Sequence, residues 1–289
     1  MSGKVAVTIK EHFLYEESLR CAKEAGFRYV NMGFGSSTDL FLSDDWERKI
    51  EKIASDLQKN GLRAVNTHAP YYDLRVSSEK CDEKIDLAQK RCLRATKILG
   101  ADVCAFHAKT RFTGGKSLDV SFEDNKRNFA PLVDEAIKSG VKVGIENLPK
   151  FPEWEPVFFT CHTSDQIRLI DYFNAPDAVC AVWDTGHANL MNYDQSKAIE
   201  KVGKRIKATH LHNNFKTEDY HLAPSVGTID WDSVCKAFKK IGYDGYFTAE
   251  TDLYDSLLTE QYVKHLYDCL IKIEKIFDEA PSYDKTDKV

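Results

Sequence analysis

Six side chains able to bind a metal or move a proton recur along this 289-residue chain at near-regular intervals. They are His68, His107, Glu146, Asp184, His210 and Glu250, spaced 39, 39, 38, 26 and 40 residues apart. Five of them close a short apolar run: Arg63–Thr67, Val103–Phe106, Val143–Ile145, Val179–Trp183 and Tyr246–Ala249, while His210 sits inside Ala208–Leu211. Imidazoles and carboxylates gathered in one place repel one another or carry a heavy desolvation cost. A divalent cation resolves that conflict by taking both ligand types and neutralising the carboxylates. A further set stands nearby. His187 follows Asp184 by three residues, and Asp219 and His221 alternate in one segment, so that they share a face if it is extended. These three could hold another ion. Equally, His187 could orient a substrate while Asp219 and His221 belong to a solvated loop.

Such a cluster needs a scaffold that brings distant strand ends together. Val5–Ile9 and Tyr29–Met32 complete a set of eight apolar runs, none showing polar alternation. That is the pattern of strands buried on both faces of a parallel sheet. Amphipathic stretches separate them: Ser43–Asn60, Cys81–Leu99, Phe122–Ser139, Trp231–Ile241 and Glu260–Phe277. The first four are each followed by glycine, a helix stop signal. Eight strands with helices between them predict a single (β/α)8 TIM barrel over residues 1–277, with a polar tail at 278–289. In that fold the strand C-termini converge on one mouth. A doubly wound sheet would usually carry a glycine-rich phosphate loop after its first strand; here the residues are Lys10-Glu11-His12-Phe13. Two long connections, Lys109–Ser121 and Asn147–Thr163, are candidate substrate covers, and Gly114-Gly115-Lys116 within the first reads as a turn or a lid hinge.

The motifs together resemble the xylose isomerase-like TIM-barrel superfamily, which includes sugar isomerases and epimerases, inosose dehydratases and endonuclease IV. The matching text is His68-Ala69-Pro70-Tyr71, Ile145-Glu146-Asn147, Trp183-Asp184-Thr185-Gly186-His187, His210-Leu211-His212-Asn213-Asn214, His221-Leu222 through Gly227-Thr228-Ile229-Asp230-Trp231, and Glu250. The resemblance implies a shared metal site at Glu146, Asp184, His210 and Glu250. The additional ligands of endonuclease IV would be His68, His107, His187, Asp219 and His221. The expected cofactor is thus Mn2+ or Zn2+, one ion for the smaller set and up to three for the whole. His212 alternates with His210, and the His-Leu-x-Asn form favours His210 as ligand, with His212 behind it or facing substrate.

Departures from endonuclease IV point toward the sugar phosphate isomerase/epimerase branch. Strand seven continues as His212-Asn213-Asn214-Phe215, the Gly33–Ser37 loop has no wedge to enter a base stack, and no Lys/Arg stripe with interleaved aromatics is seen. The expected reaction is proton transfer through a metal-stabilised enediolate. Glu146 and Glu250 act as the acid/base pair and His187 holds a substrate oxygen. His212, Tyr71, Phe13, Phe34 and Trp183 are candidate substrate contacts, although packing is the more ordinary role for Trp183. The alternatives are an endonuclease IV-like phosphodiesterase and a binding barrel without turnover. The expected partner is a small carbohydrate rather than nucleic acid, with a homo-oligomer compatible. The formal charge of −5 and 43% hydrophobic content suit an ordinary soluble protein. The absence of a signal-like segment and of CxxC pairs leads us to expect a cytoplasmic chain with reduced core thiols and no membrane span.

Overall fold

The computed structural model describes residues 3–13, 16–72, 83–111, 118–150, 157–251 and 260–281. Eight strands alternate with helices: β1 (Val5–Lys10), β2 (Tyr29–Gly33), β3 (Arg63–His68), β4 (Val103–Phe106), β5 (Lys142–Glu146), β6 (Val179–Asp184), β7 (Ile206–His210) and β8 (Phe247–Ala249). All pair in parallel, in the order β7-β6-β5-β4-β3-β2-β1-β8. The two ends meet through a parallel bridge between Leu211 and Ala249. There Leu211 N–H donates to Thr248 O at 2.7 Å and Glu250 N–H to Leu211 O at 3.1 Å. The sheet therefore curls into the expected barrel.

Helices α1 (Glu16–Ala25), α2 (Thr38–Leu42), α3 (Trp46–Lys59), α4 (Glu83–Ile98), α5 (Leu118–Ser139), α6 (Thr163–Phe173), α7 (Thr185–Leu190), α8 (Gln195–Val202), α9 (Trp231–Ile241) and α10 (Glu260–Glu279) lie between and after the strands. In α3 the buried residues Trp46, Ile50, Ile53 and Leu57 fall three to four apart, a single apolar stripe. In α9 the side chain of Asp230 accepts from Ser233 N–H and closes the first turn. The helix expected from Ser43 starts instead at Trp46. Ser43 ends α2, and its Oγ donates to Leu40 O at 2.7 Å. Helix α5 starts at Leu118, earlier than Phe122, and α10 runs through Glu279, so Asp278 and Glu279 are helix rather than tail. Residue Cys81, the Gly114–Lys116 turn and residues 282–289 lie outside the described residues.

Two apolar cores follow from strand alternation. The larger fills the space between barrel and helices. The smaller, Val103, Ala105, Cys180, Val182 and Ala208, lies inside the barrel. The seven described cysteines are buried and unbridged. No helix among the described residues is long and apolar enough to cross a membrane.

Candidate metal centre at the barrel mouth

Continuing the inward-facing series by two residues reaches the candidate site on every strand that carries it. Ala105 leads to His107, Gly144 to Glu146, Val182 to Asp184, Ala208 to His210 and then His212, Asn66 to His68, and Thr248 to Glu250. The candidate ligands thus form the next layer above the apolar floor. Asp184 ends β6 and caps α7, its Oδ1 accepting from His187 N–H at 2.7 Å, which turns His187 back over the mouth. Asp219 and His221 arrive on the β7–α9 connection. Asn213 and Leu222 pin that connection by exchanging backbone hydrogen bonds of 3.0 Å.

The nine candidate ligands gather around three centres, the first two sharing Glu146 and bridged by a further set of His68, His210 and Glu250. In the first, His68 Nε2 and His107 Nε2 stand 3.3 and 3.5 Å from Glu146 Oε2 and 3.1 Å from each other. In the second, His210 Nδ1 lies 3.1 Å from Glu146 Oε1 and 2.7 Å from Glu250 Oε2, with a donor atom of Asp184 in the same cluster. In the third, His187 Nε2 and His221 Nε2 approach Asp219 Oδ2 at 3.1 and 3.2 Å. His212 joins that group, and its four donor atoms lie within 4.8 Å of one another. His212 Nε2 is also 2.9 Å from Asp184 Oδ1, so the residue stands between the second and third groups. Its ring stacks on His221 at 3.8 Å and occupies the space a side chain at position 186 would need, which restricts that position to glycine.

Burial and charge act against each other here. Burial pulls the pKa of His210 down, but Glu250 and Glu146 more than reverse this and hold it well above the usual histidine value. His187 is raised in the same way, with Asp184 and Asp219 overcoming burial. Burial would raise Glu146, yet His210, His107 and His68 hold it well below the usual carboxylate range. Glu250 is likewise lowered, with burial overcome chiefly by His210. His107 is lowered because burial prevails over Glu146.

The residues fit a divalent cation. Glu146 Oε2 and Asp219 Oδ1 are buried without a hydrogen-bond partner. A buried carboxylate oxygen in that state is costly, and a cation would satisfy it. Three imidazoles have one nitrogen committed to a backbone carbonyl: His68 Nδ1 to Ala69 O at 2.8 Å, His187 Nδ1 to Asn147 O at 2.9 Å, and His221 Nδ1 to Glu250 O at 3.2 Å. A carbonyl only accepts, so each Nδ1 carries the proton. In the neutral ring each Nε2 then presents its lone pair to the cluster, the arrangement of metal-binding histidines.

The aromatic candidates divide. Tyr71 is 41% exposed, with its ring stacked on His107 at 4.8 Å and edge-on to His68 at 5.6 Å. Phe13 is half-buried in the turn after β1. Trp183 and Phe34 have no exposed surface. Both pack in the larger core, Trp183 donating from Nε1 to Gln195 and Phe34 lying edge-on to Phe41, so their rings do not reach the mouth. The covering role expected of Asn147–Thr163 falls partly on residues 151–156, outside the described residues; Phe158 and Phe159 beside them are buried. Asn147 was assigned no role from sequence. It holds Asp184 by a reciprocal pair, Nδ2 donating to Asp184 O at 2.9 Å and Oδ1 accepting from Asp184 N–H at 2.8 Å. Its place directly after Glu146 was the available signal.

With this geometry in hand, known proteins give a consistent picture. An uncharacterized protein of Sinorhizobium fredii is 24% identical over 294 residues, covering 92% of each chain. A solved D-tagatose 3-epimerase-like protein superposes with a TM-score of 0.74 at 18% identity, over 94% of this chain and 98% of its own. The apo 3-keto-D-glucoside 4-epimerase of E. coli does so with 0.71 at 17% identity, over 94% and 99%. At such identities the two structures speak for the fold. The family model described as xylose isomerase-like TIM barrel matches residues 19–273, and the chain belongs to that family.

Proposed function

We propose that the protein is a divalent-metal-dependent sugar, or sugar phosphate, isomerase or epimerase. The observation carrying this reading is the pair Glu146 and Glu250. They come from non-adjacent strands, β5 and β8, and meet at His210 Nδ1. Proton transfer beside a carbonyl needs one group to remove the proton and another to return it. Glu250 keeps 15% of its side chain exposed while Glu146 keeps 1%, so Glu250 is the carboxylate more open to a substrate. A divalent cation held by Glu146, Asp184, His210 and Glu250 would supply positive charge to the developing enediolate. His187 would hold a substrate oxygen, and the exposed Tyr71 ring offers a face for a sugar. That the D-tagatose 3-epimerase-like protein and the 3-keto-D-glucoside 4-epimerase share the fold supports the substrate class.

The test is exchange of a carbon-bound proton of keto sugars with deuterated water. Wild-type protein loaded with metal should exchange it. Glu146→Gln and Glu250→Gln should each lower the rate by roughly 10²–10⁴-fold, the usual worth of a positioned acid or base. Unchanged exchange in both variants would refute the assignment.

One observation favours a second reading. All nine candidate ligands are gathered, including the His68/His107 and His187/Asp219/His221 groups that a four-residue site does not require. That set suits an endonuclease IV-like phosphodiesterase. Chelator-sensitive cleavage of an abasic-site duplex would support it, and its absence in metal-loaded protein would count against it.

A further inference from the structure

We propose that Thr160 is a positioning residue for Glu146, a buried threonine kept in a strained turn because its hydroxyl fixes the backbone of that carboxylate. This deepens the isomerase reading above, since it rests on Glu146 being one of the proton-transfer pair. The starting observation is conformational. Among the described residues, five that are not glycine have positive φ: Thr160, Asn174, Asn192, Lys216 and His221. Thr160, at φ 73°, is the only β-branched one. Asparagine enters that region readily, whereas a β-branched side chain there is a steric outlier. Strain of this kind persists only where the surroundings over-determine it, and it gathers at functional sites.

The turn itself calls for another residue. Cys161 N–H donates to Phe158 O at 3.2 Å, closing a four-residue turn in which Thr160 stands third. Phe159 is not among the positive-φ residues, so the turn is of type II, whose third position favours glycine or asparagine. Glycine has no side-chain donor to offer. Thr160 Oγ1 donates to Glu146 O at 2.8 Å, and both residues are wholly buried. Glu146 is the last residue of β5 and has a register partner on β6 alone, because the β4–β5 ladder stops at Ile145. The threonine thus fastens the strand where ladder support ends. Phe159 N–H donates to Thr110 Oγ1 at 2.8 Å, three residues past His107. The turn therefore ties the connections after β4 and β5 to each other and to the backbone of Glu146. The Glu146 carboxylate in turn meets His68, His107 and His210 at 3.1–3.5 Å. A shift of its Cα would carry the carboxylate away from all three, and a misplacement of about 1 Å can cost roughly 10²-fold in rate. With no exposed surface, Thr160 acts only through Glu146.

Three variants separate the hydroxyl from the shape. Thr160→Ser keeps the donor. Thr160→Val keeps the branched volume without it. Thr160→Gly removes both and accepts φ 73° freely. Each full-length variant is compared with wild type by crystallography without metal and by keto-sugar proton exchange with Mn2+. In the serine variant the distance from Glu146 Oε1 to His210 Nδ1 should stay near 3.1 Å, and kcat near that of wild type. In the valine and glycine variants the carboxylate should leave hydrogen-bonding distance of His210. Their kcat should fall roughly 10–10²-fold with KM changed by less than about twofold. Where the valine variant fails to fold, the unstrained glycine variant carries the comparison. Glu146 in its wild-type place with unchanged kcat in the glycine variant, or a serine variant as impaired as the others, would overturn the positioning role. Absence of exchange in wild-type protein with every keto sugar would instead overturn the isomerase reading, and the metal-free structures alone would then decide whether Thr160 places Glu146.

Discussion

The barrel interior holds two layers that could hardly differ more, although the same strands build both. In the floor, Val103, Ala105, Cys180, Val182 and Ala208 touch one another and need nothing else. Across from them polar side chains are partly paired, Asn31 Nδ2 donating to Thr8 Oγ1 at 3.1 Å and Asn66 Nδ2 to Thr248 Oγ1 at 3.4 Å, while Asn31 Oδ1 is buried without a hydrogen bond. Two residues further along the strands, in the mouth, imidazoles and carboxylates crowd together, and Glu146 Oε2 is buried without a hydrogen bond, as is Asp219 Oδ1 on the β7–α9 connection. A floor of this kind repays burial with contact and dispersion. The mouth keeps buried carboxylate oxygens without hydrogen bonds, which a bound ion or substrate would satisfy. Stability and chemistry are thus separated by one step of strand alternation.

Substitutions should separate them too. The largest effect belongs to the mouth: Glu146→Gln should cost about 3–5 kcal/mol in the barrier to proton exchange, equivalent to the 10²–10⁴-fold loss above. The same variant should melt lower in the metal-free protein, because His210 is left with only Glu250 to balance its buried charge; an unchanged melting temperature would mean that the pairing adds nothing to stability. The fully buried Trp183, one residue from Asp184 but facing the helices, should affect stability alone. Trp183→Ala should destabilise by ~3–5 kcal/mol in denaturant titration while the folded protein retains its metal stoichiometry. Gly144 sits in the floor directly below Glu146. A Cβ there would meet Val182 Cγ2 at 2.5 Å and Val103 Cγ1 at 2.8 Å. Gly144→Val should therefore cost about 1–3 kcal/mol by overpacking; a neutral result would mean that the floor is looser than drawn.

The smallest expected effect concerns pH in the metal-free protein. Folding raises the pKa of His187 and His210 above the ordinary histidine value. Their contribution to stability is then fully present below about pH 6.5 and is lost as pH rises through the raised values. Chelated protein should melt at progressively lower temperature as pH is raised from 6.5. Gly144→Val should keep that slope and His210→Asn should flatten it.

Much of this division was legible in the sequence. Apolar runs ending in His, Glu or Asp marked both the strands and the layer their ends would share. Alternation could also have corrected two aromatic assignments. Trp183 precedes Asp184 by one residue, and Phe34 follows Gly33, whose Cβ would meet Thr8 and Lys10 inside the barrel. Adjacent strand residues face opposite sides, so neither ring could share the mouth with its neighbour. His210 and His212 have the same parity, and only their contacts distinguish them, His210 on Glu146 and Glu250, His212 on Asp184. Helices α1, α2, α6, α7 and α8 were not anticipated. Of these, α2 and α7 are only five and six residues long, too short to show a full apolar stripe.

The central claim is that the layer above the floor is built to hold divalent cations. Equilibrium dialysis of the stripped full-length protein against Mn2+ and Zn2+, with bound metal counted by elemental analysis, tests it most directly. The account predicts at least one tightly held equivalent per chain, lost in a variant carrying both Glu146→Gln and His210→Asn but kept in Gly144→Val. A folded wild-type protein that retains neither metal, or a double variant that retains as much as wild type, would contradict it.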